Sequence, residues 1–169
     1  MKIFNKNKKG FGVMEVIIYL SLFTVISILV INSFIVILNS FSNMRTNTNL
    51  LDSGSMAMER ISREVRSAKS IDLTNSTFES NTGTMRLNDT DGTSYIDIGR
   101  NTNLLNLSKN GTLFGNLLAP NIIVTKFYLR YITTTKGSAI KIEMTLQDTK
   151  SKRNKTANFY NTVVLRGGY

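Results

Sequence analysis

The sequence predicts an α+β protein in which one long N-terminal helix, transmembrane in its first half, packs on an antiparallel β-sheet. Three observations carry that expectation. Val16 to Leu38 is a run of 23 residues without a charge. Met44 to Ile71 places apolar residues at helical spacing. From residue 72 onward, short alternating segments are separated by turn signals such as Asp91-Gly92 and Asn110-Gly111. The expected organisation is a basic leader over residues 1–10, a helix over 11–71 whose part 13–38 crosses a membrane, and a β-rich extracytoplasmic domain over 72–169.

The leader carries Lys2, Lys6, Lys8 and Lys9 and no acidic residue. That bias holds the N-terminus in the cytoplasm and sends the bulk of the chain outside, as a single-pass membrane protein. About 20 apolar residues in a helix cross the hydrocarbon core of a bilayer, so the run is long enough. Only Ser21, Thr24, Ser27, Asn32 and Ser33 are clearly polar within it. Glu15 is the anomaly, a carboxylate at the very start of the apolar run. An ionised carboxylate in lipid costs about 2.5–3.5 kcal/mol unless it is paired, which makes Glu15 a functional candidate in need of a partner.

Beyond Leu38 the helix is expected to continue with a stripe of Met44, Leu51, Met58, Ile61, Val65, Ala68 and Ile71 facing the domain. Glu59–Arg63 and Arg60–Glu64 are i,i+4 pairs on the opposite side. Gly54, between Ser53 and Ser55, is a point where such a helix could bend. Unbroken from Phe11 to Ile71, the helix would be about 90 Å long, an assembly device rather than a catalytic scaffold.

The strands follow in order. A short one is expected near Thr84–Leu87, before the turn Asp89-Thr90-Asp91-Gly92, and another at Ser94–Gly99. Asn103–Ser108 follows, closed by the hairpin signal Asn110-Gly111. Asn121–Thr133 is the most apolar, and its alternation changes phase between Val124 and Phe127, which predicts a bulge. Ala139–Gln147 alternates cleanly, Asp148–Thr156 reads as a basic solvated loop, and Phe159–Arg166 closes the sheet.

Composition excludes several chemistries. With no histidine and no cysteine, the chain lacks the usual general base at neutral pH, the usual soft metal ligands and any disulfide. It also lacks a Walker loop and a dinucleotide fingerprint. Asp89 and Asp91 resemble part of a calcium loop but lack its distal glutamate, and read as a polar turn. The expectation is a non-enzymatic protein without cofactor or metal. Net charge is +10, and the four leader lysines account for four of it, leaving +6. Such a balance favours acidic partner surfaces or nucleic acid.

Lys9-Gly10-Phe11, with Glu15 four residues on and the apolar run behind it, resembles the class III signal of type IV prepilins and type II secretion pseudopilins. The resemblance implies a pilin-like fold. It also implies cleavage between Gly10 and Phe11 by a prepilin peptidase, N-methylation of Phe11, and assembly through Glu15. The carboxylate would pair with the new amine of a neighbouring subunit, so that two groups costly in lipid neutralise one another on assembly. Inner-membrane lipid would surround the helix before assembly, and other pilin or pseudopilin subunits afterwards. Gly12 and Met14 depart from the commoner residues of that signal, and the span lacks proline. The helix Met58–Ala68 and the closing Thr162–Arg166 are further similar to minor pilins and pseudopilins of the J/W type.

Two alternatives stay open. An uncleaved single-pass anchor could display a surface binding domain. A DNA-binding minor pilin for DNA uptake would add phosphate contacts from Lys150, Lys152, Arg153 and Lys155. No aromatic residue interleaves with those four charges to stack on bases.

Overall fold

The computed structural model describes residues 12–134, 137–150 and 154–166. The chain forms two compact units, Met1–Asn43 and Met44–Tyr169. One helix, α1 (Val13–Ser67), contributes to both. Eight antiparallel strands follow: β1 (Ser70–Thr77), β2 (Thr84–Asn88), β3 (Tyr95–Asn101), β4 (Leu104–Lys109), β5 (Thr112–Asn116), β6 (Ile122–Thr134), β7 (Gly137–Asp148) and β8 (Thr156–Val164). The architecture is α+β, with a long apolar N-terminal helix and antiparallel sheet.

The strands make two sheets where the sequence reading had one. The first is a five-stranded meander in the order β1-β2-β3-β4-β5, the second a three-stranded meander β6-β7-β8. Alternation reports which face of a strand is buried, not which strand lies beside it, so the division was not legible. The chain from Glu79 to Gly83 joins them, with Glu79, Gly83 and Phe127 exchanging backbone hydrogen bonds between that loop and β6 at 2.8–2.9 Å. Arg100 adds a side-chain link, its guanidinium donating to the carbonyls of Thr102 (2.7 Å), Asn81 (3.4 Å) and Thr125 (2.5 Å).

Both sheets and the Met44–Ser67 part of α1 enclose one core. Leu50, Ala57, Met58, Ile61, Val65 and Ala68 face Met85, Leu87, Ile98 and Leu107 of the first sheet, and Phe127, Ile140, Ile142 and Met144 of the second. Each of the larger side chains, fully buried, contributes about 1.5–3 kcal/mol. The expected stripe holds from Met58 to Ala68 and fails before it. Met44 and Leu51 are exposed, while Leu50, Ser53 and Gly54 are buried. Small residues let the β-domain approach the helix here, and a reading based on hydrophobicity passed over them.

The helix is continuous through Gly54 and does not melt there. The phenyl ring of Phe159 on β8 fills the space that a side chain at Gly54 would need. The buried polar groups are satisfied: Ser53 Oγ accepts from the Ala119 N–H at 3.1 Å, and Ser62 Oγ donates to the Met58 carbonyl at 2.7 Å. The helix ends four residues earlier than expected. Lys69 already donates to the Asn88 carbonyl at 2.9 Å, and Ile71 pairs with Leu87 in β1.

Both expected pairs are present: Arg63–Glu59 at 2.9 Å is exposed, whereas Arg60–Glu64 at 2.7 Å is partly buried, with the Glu64 side chain only 12% exposed. The irregularity in β6 is present too, where the register against β7 shifts between Val124 and Lys126. Strands β1 and β5 were not expected, and β8 begins three residues before Phe159.

Candidate functional site in the apolar N-terminal helix

Every large apolar side chain from Val13 to Leu38 is exposed, around the whole circumference of the helix. A helix apolar on all sides is stable only where lipid or other apolar helices cover it. This helix is long and apolar enough to cross a membrane.

Its backbone polar groups are satisfied along the helix, and several side-chain hydroxyls are satisfied the same way. Ser21 donates to the Ile18 carbonyl at 2.8 Å, Thr24 to Leu20 at 2.8 Å and Ser33 to Leu29 at 2.9 Å. Bonded back to the preceding turn, these hydroxyls present little polarity to an apolar surrounding.

Glu15 lies in the first turn of α1, with its N–H donating to the Gly12 carbonyl at 2.9 Å. A carboxylate there is favoured by the unpaired N–H groups and positive dipole end of the helix. One turn on, the Tyr19 hydroxyl donates to Glu15 Oε1 at 2.9 Å. Sequence reasoning missed Tyr19, although the i,i+4 spacing was the available signal. Gly10 and Phe11 lie outside the described residues.

The remaining candidates belong to the other unit. Lys152 and Arg153 also lie outside the described residues. Of their neighbours, Lys150 donates its backbone N–H to Asp148 Oδ1 at 2.7 Å, and Lys155 Nζ donates to Asn47 Oδ1 on α1 at 3.1 Å.

Asp89 and Asp91 form the β2–β3 turn. Asp91 Oδ1 accepts from the N–H groups of Thr93 (2.9 Å) and Ser94 (2.8 Å), and Gly92 takes the left-handed conformation at φ 73°. Hydrogen bonds from Ser94 and Thr93 hold the Asp91 carboxyl down at about 2. Among the described residues, no three Asp or Glu side chains come together as a metal site.

Two charged groupings on the sheets were not anticipated. Arg86 makes a two-pronged pair with Asp97 (2.7 and 2.9 Å) and lies over the Tyr95 ring at 4.1 Å. Glu143 lies between Lys126 and Lys141, each at 3.0 Å, and their hydrogen bonds lower its carboxyl below the ordinary range. Both depend on cross-strand register, which single-strand alternation does not give. No protein-family model matches the chain, and neither a curated protein nor a solved structure is significantly similar to it.

Proposed function

We propose that the protein is a structural subunit of a type IV pilus or type II secretion-like filament, made as a prepilin. The observation that carries this reading is the exposed, apolar Val13–Leu38 part of α1 with a lone carboxylate, Glu15, in its first turn. Cleavage between Gly10 and Phe11 would create a cationic amine a few residues before that carboxylate, and methylation of Phe11 would keep it cationic.

In the inserted subunit Glu15 is supported by the Tyr19 hydroxyl and the helix N-terminus, which reduces but does not remove the cost of a charge near lipid. Pairing with the amine of a neighbouring subunit neutralises both groups and fixes the axial register of the two helices. The covering that the apolar surface needs then passes from lipid to neighbouring helices. The β-rich unit rides on the filament surface.

The test is the intact mass and N-terminal sequence of the protein taken from its native membrane. A chain that starts at Phe11 with one added methyl group is the expected result. A chain still beginning at Met1, in cells with an active prepilin peptidase, would overturn processing and leave an uncleaved anchor.

A further inference from the structure

We propose that the outer edge of β8 is a docking edge, which takes an extended, acid-flanked segment of a partner protein as an added strand. The inference concerns the β-domain alone and holds whether or not the chain is processed.

β8 pairs with β7 over nine consecutive residues without a register shift and, among the described residues, has no strand on its other side. Leu165 donates to the Ser138 carbonyl and Asp148 to the Lys155 carbonyl, both at 3.0 Å. Odd-numbered residues therefore face β7. By the alternation of an antiparallel ladder, Thr156, Asn158, Tyr160, Thr162 and Val164 turn their N–H and C=O groups outward. The Thr162 N–H is already held by Asn161 Oδ1 at 2.8 Å, so the open stretch is centred on Asn158 and Tyr160. Tyr160 is 67% exposed.

Exposed edges are normally blunted by charge, proline, bulges, short length or a covering loop. The other three edges follow that rule. β1 changes register between Asp72 and Thr77, where the Asp72 carboxylate binds the N–H groups of Thr74 and Asn75. β5 has five residues and an irregular register against β4. β6 is covered by the Glu79–Gly83 loop. β8 is nine residues of Thr-Ala-Asn-Phe-Tyr-Asn-Thr-Val-Val, without charge, proline or bulge.

Charge selects the occupant. Lys155 immediately precedes β8, Lys150 follows the end of the neighbouring β7, and Arg166 follows the end of β8. There Arg166 borders a cleft of about 490 Å³ that is also lined by Arg63, Arg66 and Asn161. Arg63 is paired with Glu59, but Arg66 and Arg166 make no ion pair among the described residues. Both ends of the edge are thus basic. A second copy of β8, added in either direction, would bring like charges together. An extended segment with acidic residues at both ends meets opposite charge at each, and its backbone completes the ladder.

The test uses the full chain in detergent micelles and a synthetic peptide, Asp-Asp-Thr-Val-Thr-Val-Thr-Asp-Asp, followed by hydrogen exchange and a binding titration. The peptide is expected to slow exchange of the Asn158 and Tyr160 amides and to bind more weakly as salt is added. Tyr160→Pro removes an outward N–H while sparing the β7 ladder, and should weaken binding about tenfold or more. Arg66→Glu combined with Arg166→Glu should weaken it and flatten its salt dependence. Should Tyr160→Pro fail to fold, a peptide N-methylated along one edge replaces it, with loss of binding to the unaltered chain expected. The proposal is overturned if the peptide gives no protection, if lysine-flanked or N-methylated peptide binds equally well, or if Tyr160→Pro has no effect. Peptide-free dimers abolished by Tyr160→Pro would also overturn it, in favour of self-pairing.

Discussion

The ring of Phe159 occupies the space above Gly54 that any side chain on the helix would take. On propensity alone, Gly54→Ala should stabilise a helix by about 1 kcal/mol. The contact reverses that sign. Ring and methyl cannot share the space, so Gly54→Ala is expected to destabilise the β-domain by about 1–3 kcal/mol. Phe159→Leu should recover part of the loss in a double-mutant cycle measured by denaturant unfolding. A neutral or stabilising Gly54→Ala would show that the helix face tolerates a side chain there.

Arg100 joins the five-stranded sheet to β6 by donating to the Thr125 carbonyl, and it also donates to the carbonyls of Thr102 and Asn81. A lysine has the charge but not the planar fork. Arg100→Lys is expected to cost about 1–2 kcal/mol and to speed amide exchange at Gly83 and Phe127, which close the same junction. Unchanged exchange at both amides would mean that the loop alone holds the sheets together.

The Asp91 carboxyl lies at about 2, below its ordinary 3.8, so its folded-state pKa is depressed. Its contribution to stability is therefore present above 3.8 and lost as pH falls through about 2. Asp91→Ala should be less stable than the parent at neutral pH, and the two unfolding midpoints should converge on acidification across that window. A gap that stays constant through it would assign the difference to something other than the charged form of Asp91.

For Glu15, the expected outcome is a separation of insertion from assembly. Glu15→Ala should enter the membrane normally, since it only removes a charge from an apolar helix, yet fail to join filaments. Membrane fractionation and filament shearing read the two steps independently. Filaments containing the variant at parental levels would remove the assembly role from Glu15.

The legible parts were those written in local pattern. Asp91-Gly92 and Asn110-Gly111 marked two hairpins, the phase change after Val124 marked the irregularity in β6, and the spacing of Glu59–Arg63 and Arg60–Glu64 gave two ion pairs. What failed was set by packing partners. β1 is a polar edge strand whose Ile71 looked helical until Leu87 was beside it. The helix face is chosen at Ser53 and Gly54 by an approaching sheet, which leaves Leu51 in solvent. In the candidate site, the apolar span and Glu15 could be read directly. Tyr19 drew no attention because a tyrosine in an apolar run counts as one more apolar residue.

The back-bonded hydroxyls of Ser21, Thr24 and Ser33 have a consequence for how the helix distinguishes its neighbours. A hydroxyl that donates its proton to its own backbone keeps only lone pairs to offer another chain. Along that stretch Ser27 and Asn32 are the polar side chains left over, and elsewhere any neighbour with matching ridges fits about as well as another. Discrimination then falls to Asn32 within the span and to the beginning of the helix, where Glu15 offers the first thing a stranger could get wrong.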